Sequence, residues 1–356
     1  MIVVFVLTMA LVAACVAPAA PAAPAAAPAE GAAAQGGAEG AVAASDFKGA
    51  GKATDELMFG TVVKSSAFNW FIRMEEGVKQ FAEETGIDAF QQGPSVADAA
   101  QQIQVTEDVI AQGVDALLVV PFQVPPMEPV LQKAMEQGIV VVSHEASDAQ
   151  NVHWDVEAFD NASYGRHIMD EMAKCMNEEG QYAAFVGSLT STTHNEWVDA
   201  AIAHQQEVYP NMEFVGSKNE STDSVERAYE ITKELLKTYP ELKGIQGSAA
   251  TDVVGAGQAV EEAGLQDDIC VFGTSIPSYS AELMKTGAVD MSFAWDPAMA
   301  GMAMNRVAQM MLAGEEIVDG MDLGVPGYEN IRLDGKVIYG NAWIDMTPEN
   351  MDQYPF

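Results

Sequence analysis

From Leu57 onward, short β-branched runs alternate with stretches whose apolar residues recur at three- and four-residue steps. That alternation predicts parallel α/β architecture. The run LMFGTVV (57–63) predicts a first strand, and residues 68–86 predict a helix with Phe71, Met74, Val78 and Phe81 along one stripe. A helix over 97–112 leads into the strand ALLVVP (116–121). The next helix, 127–138, stops at Gly138, and IVVVSH (139–144) follows as a strand.

The same rhythm then repeats. Helices over 161–178, around 195–209, 223–238 and 252–264 precede strands at 182–187, 213–217, 243–248 and 269–275. A helix at 278–286, a strand at 289–295 and a long helix at 297–314 come next, and the tail holds two short strands in ENIRL and KVIYG. Two successive open parallel sheets result, with the segment 289–314 left over. Open parallel sheets place ligands at the carboxyl ends of their strands, so two of them face to face would share a cleft built from strand-end loops.

A chain of 356 residues exceeds what one core usually absorbs, which agrees with two lobes. The balance of 52 acidic against 17 basic residues, a formal net charge of −35, repels nucleic acids and anionic headgroups and leaves few cations to line a polyanion site. The N-terminus changes the picture more. MIVVFVLTMALVAAC is too short an apolar run to span a bilayer but fits the hydrophobic region of a secretory signal. Its end, LVAAC, resembles a bacterial lipobox, which would make Cys15 the acylated first residue of the mature protein, although no Lys or Arg precedes the run. Residues 16–55, rich in Ala, Pro and Gly, predict a disordered tether. Cys175 and Cys270 read as small buried residues whose pairing stays open.

Candidate chemistry lies at the strand ends. Lys64 follows the first strand, with Phe68, Trp70 and Phe71 close behind as an apolar platform for the C–H face of a sugar. Glu145 follows the strand at 139–144 as an acceptor for paired hydroxyls. Thr193, His194 and Asn195 follow 182–187, although Thr and Asn also cap helices. Ser248 and Ala250 follow 243–248, Ser275 follows 269–275, and Trp295 with Asp296 follow 289–295. No sequence motif for a cofactor, a metal or a nucleophile occurs. A carboxylate pair, Glu145 with Asp296, leaves sugar hydrolysis open.

Several stretches together carry a resemblance: Lys64 with Trp70-Phe71, AQGVDALLVVP (111–121), IVVVSHEASD (139–148), NEWV (195–198), AWDP (294–297) and the closing ENMDQYPF. In order and spacing, the body resembles the type I periplasmic sugar-binding proteins, and most of all the branch of autoinducer-2- and rhamnose-binding proteins. The resemblance implies an α/β fold of two Rossmann-like lobes joined by three crossovers and closing on the ligand by a hinge. It places 56–146 and about 293–317 in the first lobe, and about 147–292 and 318–356 in the second. It implies Lys64 and Glu145 as first-lobe contacts, Thr193, His194, Ser248, Ala250 and Ser275 as second-lobe contacts, and Trp295 or Asp296 near a crossover. Where autoinducer-2 binders carry an acid and an amide, this chain has Thr193 and His194; Ser248 replaces Pro, and Glu145 replaces Asp. Those changes argue for a different neutral monosaccharide, such as a pentose or a deoxyhexose. The implied role is a monomeric, lipid-anchored capture protein serving an ABC permease outside the cytoplasm, without catalysis or cofactor. A receptor feeding a membrane histidine kinase remains the alternative, and a surface glycosidase the more distant one.

Overall fold

The computed structural model describes residues 44–356, so Cys15, the expected signal segment and most of the expected tether lie outside the described residues. Residues 44–55 are not a free linker. Phe47 is buried against the His153 ring, Lys48 Nζ donates to the Gly113 carbonyl at 2.7 Å, and Lys52 pairs with buried Asp115 at 2.6 Å.

The first half alternates β1 (Met58–Val62), α1 (Asn69–Thr85), β2 (Asp88–Gln92), α2 (Ala99–Ala111), β3 (Ala116–Val119), α3 (Val124–Glu136), β4 (Val140–His144) and β5 (Trp154–Glu157). The chain continues through α4 (Asn161–Cys175), β6 (Gly180–Val186), α5 (Thr192–Val208), β7 (Met212–Phe214), β8 (Asn219–Glu220), α6 (Val225–Thr238), β9 (Leu242–Gly247), α7 (Asp252–Ala263), β10 (Cys270–Thr274), α8 (Pro277–Thr286) and β11 (Met291–Ala294). It ends with α9 (Pro297–Ala313), β12 (Arg332–Asp334), β13 (Val337–Tyr339) and β14 (Ile344–Met346).

Strand pairing sorts these into two sheets. The first runs β12-β13-β5-β4-β3-β1-β2, and the second β14-β11-β10-β9-β6-β7 with β8 beside β6. All pairs are parallel except β12 with β13 and β11 with β14. Fully buried runs such as Leu117–Val119 and Val140–Val142 explain why the central strands read as solid apolar blocks.

The pairing moves the expected lobe boundaries. β5 belongs to the first lobe although it lies past residue 146, because it hydrogen-bonds beside β4. β12 and β13 also return to the first sheet, and β11, expected to lead back to the first lobe, stays beside β10. Only α9 crosses back at that point, packing along α1. There the helices approach so closely that a Cβ on Gly77 would overlap the Ala298 carbonyl. The chain therefore crosses between lobes three times, at 158–160, 295–296 and 340–343. Cys175 and Cys270, whose pairing was open in sequence, form a disulfide tying the end of α4 to the start of β10.

Candidate functional site

Between the carboxyl ends of the two sheets lies a cavity lined from both lobes. Lys64 leaves the end of β1 and Glu145 the end of β4, two strands separated in the sheet only by β3. Their side chains meet in a buried ion pair, with the residues only 3% and 6% exposed. Glu145 sits in the left-handed region at φ 59°, a conformation a non-glycine residue holds only where its surroundings impose it. Burial opposes the charge on both groups. Attraction wins: Glu145 and Asp223 raise Lys64 above its ordinary value, and Lys64 holds Glu145 below the usual carboxylate range.

An aromatic wall adjoins this pair. Phe68 and Phe71 stack at 6.5 Å, and Trp70 meets Trp295 edge-on at 4.7 Å. Trp295 occupies the second crossover, so its ring sits where the lobes join, with Trp197 of α5 5.8 Å away.

The second lobe supplies His194, Asp223, the Ser248–Thr251 turn, Thr274 and Tyr279. Burial lowers the His194 imidazole to about 3, so it is neutral, and its Nδ1 accepts the Gly187 N–H at 3.1 Å. Four buried polar atoms around the cavity find no protein partner among the described residues: Asp223 Oδ1, Ser248 Oγ, Thr251 Oγ1 and Trp295 Nε1. Each such atom costs on the order of 1–3 kcal/mol until something pairs with it.

Of the residues singled out in sequence, Lys64, Phe68, Trp70, Phe71, Glu145, His194, Ser248, Ala250 and Trp295 line the cavity together. Four do not, because bonds to other protein groups engage them. Thr193 Oγ1 donates to Glu157 at 3.0 Å, and Asn195 Nδ2 donates to the Ser191 carbonyl at 2.8 Å. Ser275 Oγ donates to the Ala250 carbonyl at 2.8 Å, bracing the turn from behind. Asp296 caps α9 through Ala298 N–H and takes a forked pair of bonds from Arg73 at 2.9 and 2.7 Å. Asp296 is therefore no free partner for Glu145 across a glycosidic bond.

Trp197, Asp223, Thr274 and Tyr279 line the cavity but were not singled out, and Ala249 and Thr251 join them from the turn that holds Ser248 and Ala250. Thr274 ends a legible strand and Ala249 and Thr251 flank Ser248, so the strand-end rule reaches all three. Asp223 follows a two-residue strand without an apolar run, and Tyr279 lies inside a helix, where no such signal exists.

The lobes are latched shut over this cavity. Thr192 donates to Asp148 at 2.6 Å, Ser147 to Glu196 at 2.6 Å and Gln123 to Ser188 at 2.9 Å, while Asn69 N–H donates to the Tyr279 hydroxyl at 2.7 Å. Among the described residues no group of acidic, His or Cys side chains is placed to hold a metal ion, and no helix is long and apolar enough to cross a membrane.

Comparison with known proteins adds a family. Residues 59–316 match the profile described as the periplasmic binding protein domain. A D-ribose/D-allose-binding protein of Pseudomonas aeruginosa is 26% identical over 238 residues, covering 64% of this chain and 73% of that protein. Among solved structures, LsrB from Clostridium saccharobutylicum in complex with AI-2 superposes with a TM-score of 0.78 at 19% identity, over 84% of this chain and 100% of that one. An L-rhamnose-bound ABC transporter solute-binding protein from Clostridium phytofermentas gives 0.76 at 21%, over 84% and 98%. At such identities these likenesses establish a shared fold.

Proposed function

The chain belongs to the periplasmic binding protein domain family, and on that premise we propose that it captures a neutral monosaccharide in the interlobe cavity and delivers it to an ABC permease outside the cytoplasm. One observation carries this reading: a charged pair, four unpartnered polar atoms and an aromatic wall line one cavity between the lobes. A sugar presents hydroxyls that satisfy such atoms and a C–H face that packs on the rings. The ligand-binding names of the relatives, D-ribose, D-allose and L-rhamnose, agree with that chemistry. Acylation at Cys15, if the lipobox is used, would hold the protein at the membrane as a monomer beside its permease. The engagement of Asp296 by Arg73 favours capture over hydrolysis.

A thermal-shift screen of residues 44–356 with D-ribose, D-allose, L-rhamnose, D-arabinose, AI-2, nucleosides and amino acids tests the reading. A sugar that binds only the folded form raises stability by roughly 2.7 kcal/mol at a hundred times its dissociation constant. Flat curves for every sugar, with a shift from an amino acid or nucleoside, would overturn the ligand class.

A further inference from the structure

The sequence hides Asp223, but the fold goes to some length to place it. Thr222 and Asp223 both hold left-handed backbone, at φ 56° and 51°, and for a β-branched threonine that conformation is an outlier. The turn is pinned by Ser221 N–H to the Val186 carbonyl at 3.0 Å and Thr222 N–H to the Gly187 carbonyl at 2.8 Å. Across from it, Gly187 has no side chain where one would collide: a Cβ there would overlap Asp223 Oδ1 and come within 3.0 Å of His194 Nδ1. Backbone strain and a missing Cβ together make room for one carboxylate. That carboxylate is 94% buried, lines the cavity, and its Oδ1 meets no protein donor among the described residues.

Resting on the sugar-capture reading, we propose that Asp223 is the second lobe's ligand carboxylate. It receives donor hydroxyls from the end of the captured molecule opposite the Lys64–Glu145 pair. The ligand is then a small polyol ring with free hydroxyls at both ends, bridged between the lobes, so that closure and recognition are one event.

The electrostatics agree. The charged and titratable groups facing Asp223 are Lys64 and Glu145 from the first lobe, His194 on α5, Asp252 at the start of α7 and Tyr279 on α8. Burial lifts the Asp223 carboxyl to about 6, with Lys64 pulling against the rise and Glu145 adding to it. A carboxyl raised in the folded state costs stability from its unfolded value of about 4 upward, and the full cost is present above 6.

Titration calorimetry at pH 7.5 with D-ribose, D-allose, L-rhamnose and D-arabinose tests the assignment on the wild type, Asp223→Asn and Gly187→Ala. The sugar held best by the wild type is expected to weaken roughly tenfold or more in Asp223→Asn, the size of one charge-assisted hydrogen bond. A similar loss is expected in Gly187→Ala, whose Cβ displaces the carboxylate. Affinities within twofold of wild type in both variants overturn the proposal. A ligand-free readout separates it from the sugar reading. Asp223→Asn should melt above the wild type, by a margin that widens from pH 4.5 to pH 7.5; a margin that stays constant overturns the open carboxylate. Failure of all four sugars on the wild type, with a widening margin, would defeat the choice of sugars and still support Asp223 as an open acceptor.

Discussion

The two walls of the cavity are built on opposite principles. In the first lobe, Lys64 and Glu145 answer each other, and the aromatics pack among themselves. In the second lobe, Asp223, Ser248 and Thr251 present buried polar atoms with no protein partner. Of the four unpartnered atoms around the cavity the second wall holds three, and the crossover ring of Trp295 holds the fourth. A binding site of this kind keeps its geometry through the paired wall, where Lys64 and Glu145 still hold spare donors and lone pairs, while the unpaired atoms of the other gain most when a solute arrives.

The contrast makes predictions of opposite sign. Lys64→Ala strands Glu145 as a buried lone carboxylate, and about 4 kcal/mol of stability should be lost in urea unfolding, along with sugar binding. A loss under 1 kcal/mol would mean that water reaches Glu145 and that the first wall is not self-sufficient. Reducing the Cys175–Cys270 bond, which closes a loop of 95 residues, should cost about 3 kcal/mol. Hydrogen exchange would place that loosening in α4 and β10, with β1 to β4 unchanged. Thr193→Val removes the latch to Glu157 and should weaken closure by about 1 kcal/mol, lowering sugar affinity roughly fivefold while the melting point barely moves. Ser248→Ala deletes a partnerless hydroxyl, so the ligand-free protein should gain about 0.5 kcal/mol while sugar binding weakens. If Ser248→Ala destabilises instead, the second wall is already satisfied and the comparison fails.

Much of the fold is legible because its central strands are buried on both faces and read as unbroken apolar runs. β5 escapes that reading because the buried positions of its WDVE include Asp155 and Glu157, which accept from Ser143 and Thr193. Lobe membership escapes it as well, since pairing of β5, β12 and β13 beside β4 is a long-range property. The site was legible wherever a cavity-lining residue closely follows a long strand, as at Lys64, Glu145 and Ser248. The rule misfired at Asn195 and Asp296 because the loops after parallel strands are also where helices begin: Asp296 caps α9, and Asn195 in the first turns of α5 bonds back to the Ser191 carbonyl. Asp223 was out of reach: its turn depends on positive φ and on the absence of a side chain thirty-six positions earlier, at Gly187.

The return of α9 to the first lobe has a consequence for how the protein is made. Residues 69–85 wait for 297–313 to cover them, and the edge of the first sheet waits for 332–339. The central strands of the second lobe, β6 to β11, come from one continuous stretch. Folding during synthesis usually proceeds from the N-terminal domain onward. Here the order inverts: β6 to β11 of the second lobe all precede α9, β12 and β13, which complete the first, and only β14 of the second sheet follows them. The part of α1 around Met74 and Val78, which packs against α9, waits more than two hundred residues of elongation for its partner. The cavity, which needs both lobes, is the last part of the molecule to exist.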